Sequence, residues 1–134
     1  MSRLCLDTSA YSRFKRGDDE VVRLLDGADW VGVPAVVLGE LRTGFALGDK
    51  REANERELVA FLRNPVVTVL DVDEAASNLY AEFVVALRRA GTPLPTNDIW
   101  VAAVAAREGA TVVTYDVHFE RIRGVGTRVL GAPK

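Results

Sequence analysis

Short, strongly apolar segments alternate with longer amphipathic segments along the whole chain, and this alternation limits the fold more than any other feature. The apolar segments are rich in Val and Leu, which is typical of strands that are buried on both faces. They lie at 4–6, 30–33, 66–70, 110–114 and 127–130, and the last is the weakest.

The segments between the strands have the spacing of apolar residues that is typical of helices. The clearest is 74–90, where Phe83 and Leu87 lie on one face behind Asp73, a residue type that favours N-caps. By contrast, 99–106 is apolar on every side, which indicates a helix packed between the sheet and its neighbours. The predicted helices are 19–28, 35–47, 50–63, 74–90 and 96–108.

Strands that alternate with helices and are apolar throughout predict a parallel sheet covered on both faces. We therefore predict an α/β fold, a three-layer α/β/α sandwich around a central parallel sheet of four to five strands. The chain has 134 residues, the size of one ordinary domain, and it contains no repeat or linker. It is interpreted as a single domain, 1–134.

Nothing in the sequence predicts a membrane span or a secretory signal. The apolar runs are far shorter than the roughly eighteen residues that cross a bilayer. The first residues lack a long apolar stretch and a small-residue cleavage site, so we expect a cytoplasmic protein. The single cysteine, Cys5, lies in the first predicted strand and is interpreted as a small buried apolar residue.

The net charge is −2, whereas a protein that binds any polyanion is normally basic. Several acids gathered at one site could nevertheless mask basic residues elsewhere. The basic residues that follow the acidic positions closely are Arg13, Lys15, Arg16, Arg42, Arg121 and Arg123. Whether they form a patch depends on the folded structure.

Two aspartates follow predicted strands at the point where each strand ends. Asp7 comes directly after the first strand, and Asp116 comes two residues after the fourth. In open parallel sheets this carboxyl edge, near a switch in strand order, is where ligands bind. Either residue could instead cap a following helix, and for Asp7 taken alone capping is the more common role.

Glu40 and Asp98 lie at positions where a charge is costly. Glu40 falls four residues after Val36 on the apolar stripe of its helix, so its carboxylate is expected to face inward. It then needs a cation or a proton; Arg42 lies on another face, and a distant arginine is the alternative partner. Asp98 opens the most apolar helix, where Thr96 is expected to be the N-cap and Asp98 to face the sheet edge.

Four carboxylates at one edge of a sheet repel one another. Two of them about 5 Å apart lose roughly 3 kcal/mol at an effective dielectric constant of about 20, so a positive ion is expected among them. The set is Asp7, Glu40, Asp98 and Asp116. All-oxygen ligands favour Mg²⁺, or Mn²⁺, over zinc or copper. His118 is the only histidine and is interpreted as a loop or packing residue.

The segments around these acids resemble the motifs of PIN-domain ribonucleases and, within that family, of the VapC-type toxins of toxin-antitoxin pairs. The likeness spans nearly the whole chain. It rests on Leu-Asp-Thr-Ser at 6–9, Gly-Glu-Leu at 39–41, Thr-Asn-Asp-Ile at 96–99 and Thr-Tyr-Asp-Val-His-Phe at 114–119. No segment is specific alone, and the ordered set carries the resemblance.

This resemblance implies a magnesium-dependent endoribonuclease that acts as the toxin of a type II toxin-antitoxin system. It also implies a homodimer and a VapB-like antitoxin whose C-terminal segment blocks the cleft. The implied catalytic and metal-binding residues are Asp7, Glu40, Asp98 and Asp116, with Asp7 and Asp98 as direct ligands. The polar residues expected to support the site are Thr8, Ser9, Thr96, Asn97 and Thr114, and the candidate RNA contacts are Arg13 and Arg42.

The expected reaction is hydrolysis in which a metal-activated water attacks phosphorus in line, without a side-chain nucleophile. The choice of RNA over DNA rests on the resemblance alone. The residues leave two alternatives open. One is an acid-cluster phosphotransfer or phosphatase domain, although the first strand lacks the second Asp expected two residues after Asp7. The other is a non-catalytic interaction module whose acids dock a basic partner.

Overall fold

The structure is a computed structural model that describes residues 3–131, so the ends of the predicted domain at 1–2 and 132–134 lie outside it. Five strands form one sheet in which every neighbouring pair is parallel. They are β1 (Arg3–Leu6), β2 (Trp30–Pro34), β3 (Val67–Leu70), β4 (Thr111–Thr114) and β5 (Gly126–Val129). Each strand end lies within one residue of its predicted position, and the predicted parallel sheet is confirmed.

Helices cover both faces of this sheet, which confirms the predicted three-layer α/β/α sandwich. They are α1 (Thr8–Lys15), α2 (Asp19–Asp26), α3 (Ala35–Leu47), α4 (Arg51–Leu62), α5 (Glu74–Arg89), α6 (Thr96–Arg107) and a short 3₁₀ helix, η1 (Val117–Arg121). The sequence does not predict η1, because so short a helix shows no helical periodicity. No helix within residues 3–131 is long and apolar enough to span a bilayer.

The strand order is β3-β2-β1-β4-β5, so the chain adds β2 and β3 on one side of β1 and then β4 and β5 on the other. The order therefore switches between β1 and β4. In open parallel sheets the crevice at the carboxyl ends of two such strands is the usual ligand site. Asp7 directly follows β1 and Asp116 lies just beyond β4, so the fold places both acids at this crevice.

The core lies between the sheet and helices such as α6, whose Ala102, Ala103 and Ala105 are fully buried. These small side chains allow the α6 backbone to lie close to its neighbours. Cys5 is also fully buried, as predicted, and burial raises the pKa of its thiol far above the ordinary value. The tight packing of α6 fixes the direction of its first turn, which carries Asp98.

Of the N-caps predicted for α5 and α6, the first is confirmed and the second is wrong. Asp73 caps α5 as predicted, since its Oδ1 accepts the Ala76 N–H at 2.9 Å. The prediction that Thr96 caps α6 is wrong, because Pro95 is the N-cap and Thr96 is the first helical residue. Pro34 likewise ends β2 and caps α3. Both prolines have extended ψ angles, which leaves the next residue to begin the helix.

Candidate active site

Asp7 is held rigidly at the end of β1. It is 5% exposed, and it caps α1 because its Oδ1 accepts the Ala10 N–H at 2.8 Å. The same oxygen accepts the Ser9 hydroxyl at 2.8 Å, while Oδ2 accepts the Thr114 hydroxyl at 2.5 Å. A carboxylate oxygen accepts about two hydrogen bonds. Oδ1 is therefore filled, whereas Oδ2 keeps one free lone pair.

The hydroxyl groups that hold Asp7 also tie the end of β1 to the end of β4. Thr114 is fully buried, and its Oγ1 accepts the backbone N–H of Asp116 at 2.9 Å. Ser9 Oγ accepts the backbone N–H of Tyr115 at 3.0 Å. Two hydroxyls thus set both the direction of the Asp7 carboxylate and the path of the chain that carries Asp116.

Glu40 is half-buried on α3 and is held by side chains from two other helices. Its Oε1 accepts the Thr8 hydroxyl at 2.6 Å, and its Oε2 lies 3.5 Å from the Asn97 amide nitrogen, a long contact. Arg42 pairs with Glu55 instead, which agrees with the expectation that it faces another side of the helix. Among residues 3–131 Glu40 has no ion-pair partner, so the alternative of a buried pair with a distant arginine fails.

The pKa of Asp98 reflects the charges of the other three acids. Its pKa rises from 3.8 to about 6, first because of burial and then because of the negative charges of Asp116, Asp7 and Glu40, while His118 lowers it. The pKa of Asp7 is also raised, first by burial and also by Asp116, against the lowering effect of its three hydrogen bonds. The negative charges of these carboxylates therefore repel one another. No arginine or lysine in the described part of the chain forms an ion pair with any of the four.

His118 lies in this cluster, which the sequence interpretation as a loop or packing residue did not anticipate. Asp116 caps η1, since its Oδ1 accepts the His118 N–H at 2.9 Å. The His118 imidazole lies against the same oxygen, with Nδ1 at 3.1 Å. The sequence feature that could have indicated this contact is the position of His118 two residues after Asp116. An aspartate that caps a turn accepts the N–H of the second residue after it, which brings that residue's side chain close to the carboxylate.

The remaining predicted residues lie around the cluster to different degrees. Thr8, Ser9, Asn97 and Thr114 contact the acids. Thr96 is exposed and lies on the side of α6 that faces Tyr80, beside a small cavity. Arg13 pairs with Asp18 at 3.3 Å, so its candidate role as an RNA contact stays a prediction, as does that of Arg42.

The chemistry of this cluster suits a hard divalent cation. Carboxylate and hydroxyl oxygens surround the crevice, and oxygen is the donor that Mg²⁺ and Mn²⁺ prefer. The free lone pair of Asp7 and the like charges around Asp98 are what a cation would satisfy. Within residues 3–131, however, no three His, Cys, Asp or Glu side chains are arranged closely enough to hold an ion. The acids are neighbours, and their grouping as one set of ligands stays a prediction.

A family profile and individual relatives of known name all indicate the same protein family. The sequence profile of the PIN domain matches residues 4–125. Ribonuclease VapC4 of Mycobacterium tuberculosis is 39% identical over 90 residues, which cover 67% of this chain and 68% of VapC4. Ribonuclease VapC5 of the same organism is 30% identical over 125 residues, which cover 91% of this chain and 89% of VapC5.

A solved structure agrees in fold over nearly the whole chain. It is VapBC2 from Rickettsia felis bound to a DNA fragment from its promoter, with a TM-score of 0.83 at 25% identity. The match covers 95% of this chain and 98% of that one. Since the profile covers most of the sequence and the VapC relatives align over two thirds of it or more, this chain belongs to the PIN domain family.

Proposed function

We propose that this protein is a divalent-metal-dependent endoribonuclease that hydrolyses RNA phosphodiester bonds and acts as the toxin of a toxin-antitoxin pair. The observation that carries the proposal is the environment of Asp98: burial and then the charges of three further acids raise the pKa of its carboxyl. No basic side chain in residues 3–131 forms an ion pair with Asp98. Bringing these carboxylates together on folding costs free energy, and a bound cation offsets that cost. We infer the type of reaction from the relatives, which are named as ribonucleases.

The residues proposed to hold the ion are Asp7, Glu40, Asp98 and Asp116, with Asp7 and Asp98 as direct ligands. Mg²⁺ is the proposed ion, and Mn²⁺ should substitute. When bound by these residues, such an ion would supply the positive charge that polarises a phosphate and lowers the pKa of a water molecule.

The chain itself supplies orientation and charge. Ser9 and Thr114 turn Asp7 so that only Oδ2 keeps a free lone pair. Thr8 holds Glu40 from the start of α1. Asp98, with a pKa of about 6, is largely ionised at neutral pH and is able to take up a proton below it. None of these groups has to act as a nucleophile.

The partners are proposed from the relatives. The R. felis structure contains a VapB protein as well as a VapC protein, which supports a VapB-like antitoxin for this chain. We propose that the antitoxin blocks the crevice by placing a basic side chain among the acids. A homodimer, a cytoplasmic location and a single domain over 1–134 complete the proposal.

The direct test incubates the purified protein with total cellular RNA, with and without Mg²⁺, beside an Asp7→Asn variant. We expect internal cleavage that needs the ion and is lost in the variant. Cleavage that persists in excess chelator would exclude the metal. Phosphate release without cutting of RNA would favour the phosphatase alternative, and an Asp98→Asn variant that stays as toxic to a host cell would favour a non-catalytic module.

A further inference from the structure

Four exposed arginines surround the last turns of α5 and the segment that ends η1. They are Arg88, Arg89, Arg121 and Arg123, and we refer to them as the arginine patch. Within the part of the chain that the structure describes, none of the four forms an ion pair. Several other basic residues near the acidic positions are paired, because Arg13 contacts Asp18 and Arg42 contacts Glu55.

The four side chains line neighbouring depressions around the last turns of α5. Arg121 and Arg123 line a cavity of about 110 Å³ together with Leu87. Arg88 lines a second cavity, of about 100 Å³, which also contacts Leu87. Arg89 lies on the adjoining face of α5 beside Ala86, which in turn lines the first cavity. The surface therefore combines positive charge with an apolar floor.

Two chain segments connect the arginine patch to the acidic cluster. The cavity beside Arg88 is also lined by Thr96, in the same first turn of α6 as Asp98. On the other side, η1 begins directly after Asp116 and ends at Arg121. Each segment therefore leads from an acid of the cluster to a cavity that the arginine patch lines.

We propose that the arginine patch binds the sugar-phosphate backbone of the RNA strand next to the bond that is cut. The acidic cluster repels phosphates, so a strand is held there only if positive charge lies beside it. Arginines favour phosphate oxygens, and the apolar floor suits the sugars or bases of a single strand. This inference rests on the proposed ribonuclease function and replaces no part of it.

The test measures binding and cleavage separately. Binding of a fluorescent single-stranded RNA is measured by anisotropy over a range of KCl concentrations, in excess chelator and on an Asp98→Asn background. The substitutions are Arg121→Gln with Arg123→Gln. The matched control is Arg23→Gln with Arg63→Gln, which removes the same charge from exposed arginines that precede β2 and β3, toward the amino edge of the sheet.

We expect the patch variant to bind RNA about tenfold more weakly at low salt. The slope of log K against log [KCl] should become shallower by about 0.7 for each phosphate that the substituted side chains no longer neutralise. The control should match its parent. Equal affinities for patch and control variants, with the wild-type protein still cutting RNA, would overturn the arginine patch alone.

Two other outcomes also overturn it. Loss of a homodimer in the patch variant with RNA affinity unchanged would show an interface between copies of the chain. A wild-type protein that leaves RNA intact with Mg²⁺ would remove the proposed function, and the patch as a substrate surface with it.

Discussion

Thr114 sets the geometry of the candidate active site through a single buried hydroxyl. Its Oγ1 donates to Asp7 and accepts from the Asp116 backbone, so it orients two of the four acids at once. We predict that Thr114→Val, which keeps the shape and removes the hydroxyl, lowers kcat/KM for RNA cleavage by about 10- to 100-fold, as is typical when the hydrogen-bond partner of a metal ligand is removed.

The control for that substitution is Thr114→Ser, which keeps the hydroxyl and should retain activity to within a few-fold. Both variants should give the circular dichroism spectrum of the folded protein. Cleavage rates are followed with a fluorogenic RNA at saturating Mg²⁺. A valine variant as active as the serine variant would show that the hydroxyl does not position the acids.

Asp98 is predicted to cost the metal-free protein stability. Its pKa rises from 3.8 to about 6 in the folded state, so the folded protein binds a proton more tightly than the unfolded chain between these values. Stability therefore falls as pH rises through this window. A fully buried group would lose about 3 kcal/mol, and water around this half-buried side chain reduces the loss to about 1 kcal/mol.

The measurement is urea unfolding of wild-type and Asp98→Asn protein in chelator. At pH 7 the variant should be more stable by about 1 kcal/mol, although it should not cut RNA. The difference should shrink towards zero near pH 4, where Asp98 is protonated. A wild-type protein that is the more stable of the two at pH 7 would contradict the raised pKa of Asp98.

At the scale of elements, two aspartate N-caps allow an effect on stability to be distinguished from an effect on catalysis. Asp7 caps α1 and Asp73 caps α5, but only Asp7 lies among the acids, since Asp73 contacts Arg107 at the far end of α6. We predict that Asp7→Asn, which can still cap, loses cleavage and keeps its stability. Asp7→Ala should lose cleavage and about 1 kcal/mol of stability.

Asp73→Ala is the matched control for this pair. It removes a cap from the longest helix and should cost about 1 kcal/mol, with cleavage unchanged at temperatures where the protein stays folded. Urea unfolding and the RNA cleavage assay give both quantities. If Asp73→Ala lost activity as completely as Asp7→Asn, the loss at Asp7 could not be assigned to the site.

The elements themselves could be predicted because each strand is a short apolar run and each helix has its own periodicity. Six of the ten strand ends differ from the prediction by one residue, since pairing with a neighbour and not the local sequence decides where a strand stops. The positions of Asp7 and Asp116 after β1 and β4 predicted that the candidate site lies at the carboxyl edge of the sheet. The contact of Asp7 with Thr114 joins residues 107 positions apart, and no local pattern indicates it.

At the scale of the whole molecule, an ion that binds only the folded state should stabilise the entire domain. The stabilisation is RT ln(1 + [L]/Kd), about 2.7 kcal/mol when the ion is present at about 100 times Kd. We predict that Mg²⁺ raises the melting temperature of the wild-type protein at pH 7.5. Asp98→Asn should show almost no increase.

The same experiment at pH 5 tests the role of charge in that stabilisation. Asp98, with a pKa of about 6, is then mostly protonated, and an ion must displace that proton to bind. The increase in melting temperature should therefore be clearly smaller at pH 5 than at pH 7.5. Because the effect acts on folding, it is independent of RNA. An increase of equal size at both pH values, or in both proteins, would place the ion elsewhere on the surface.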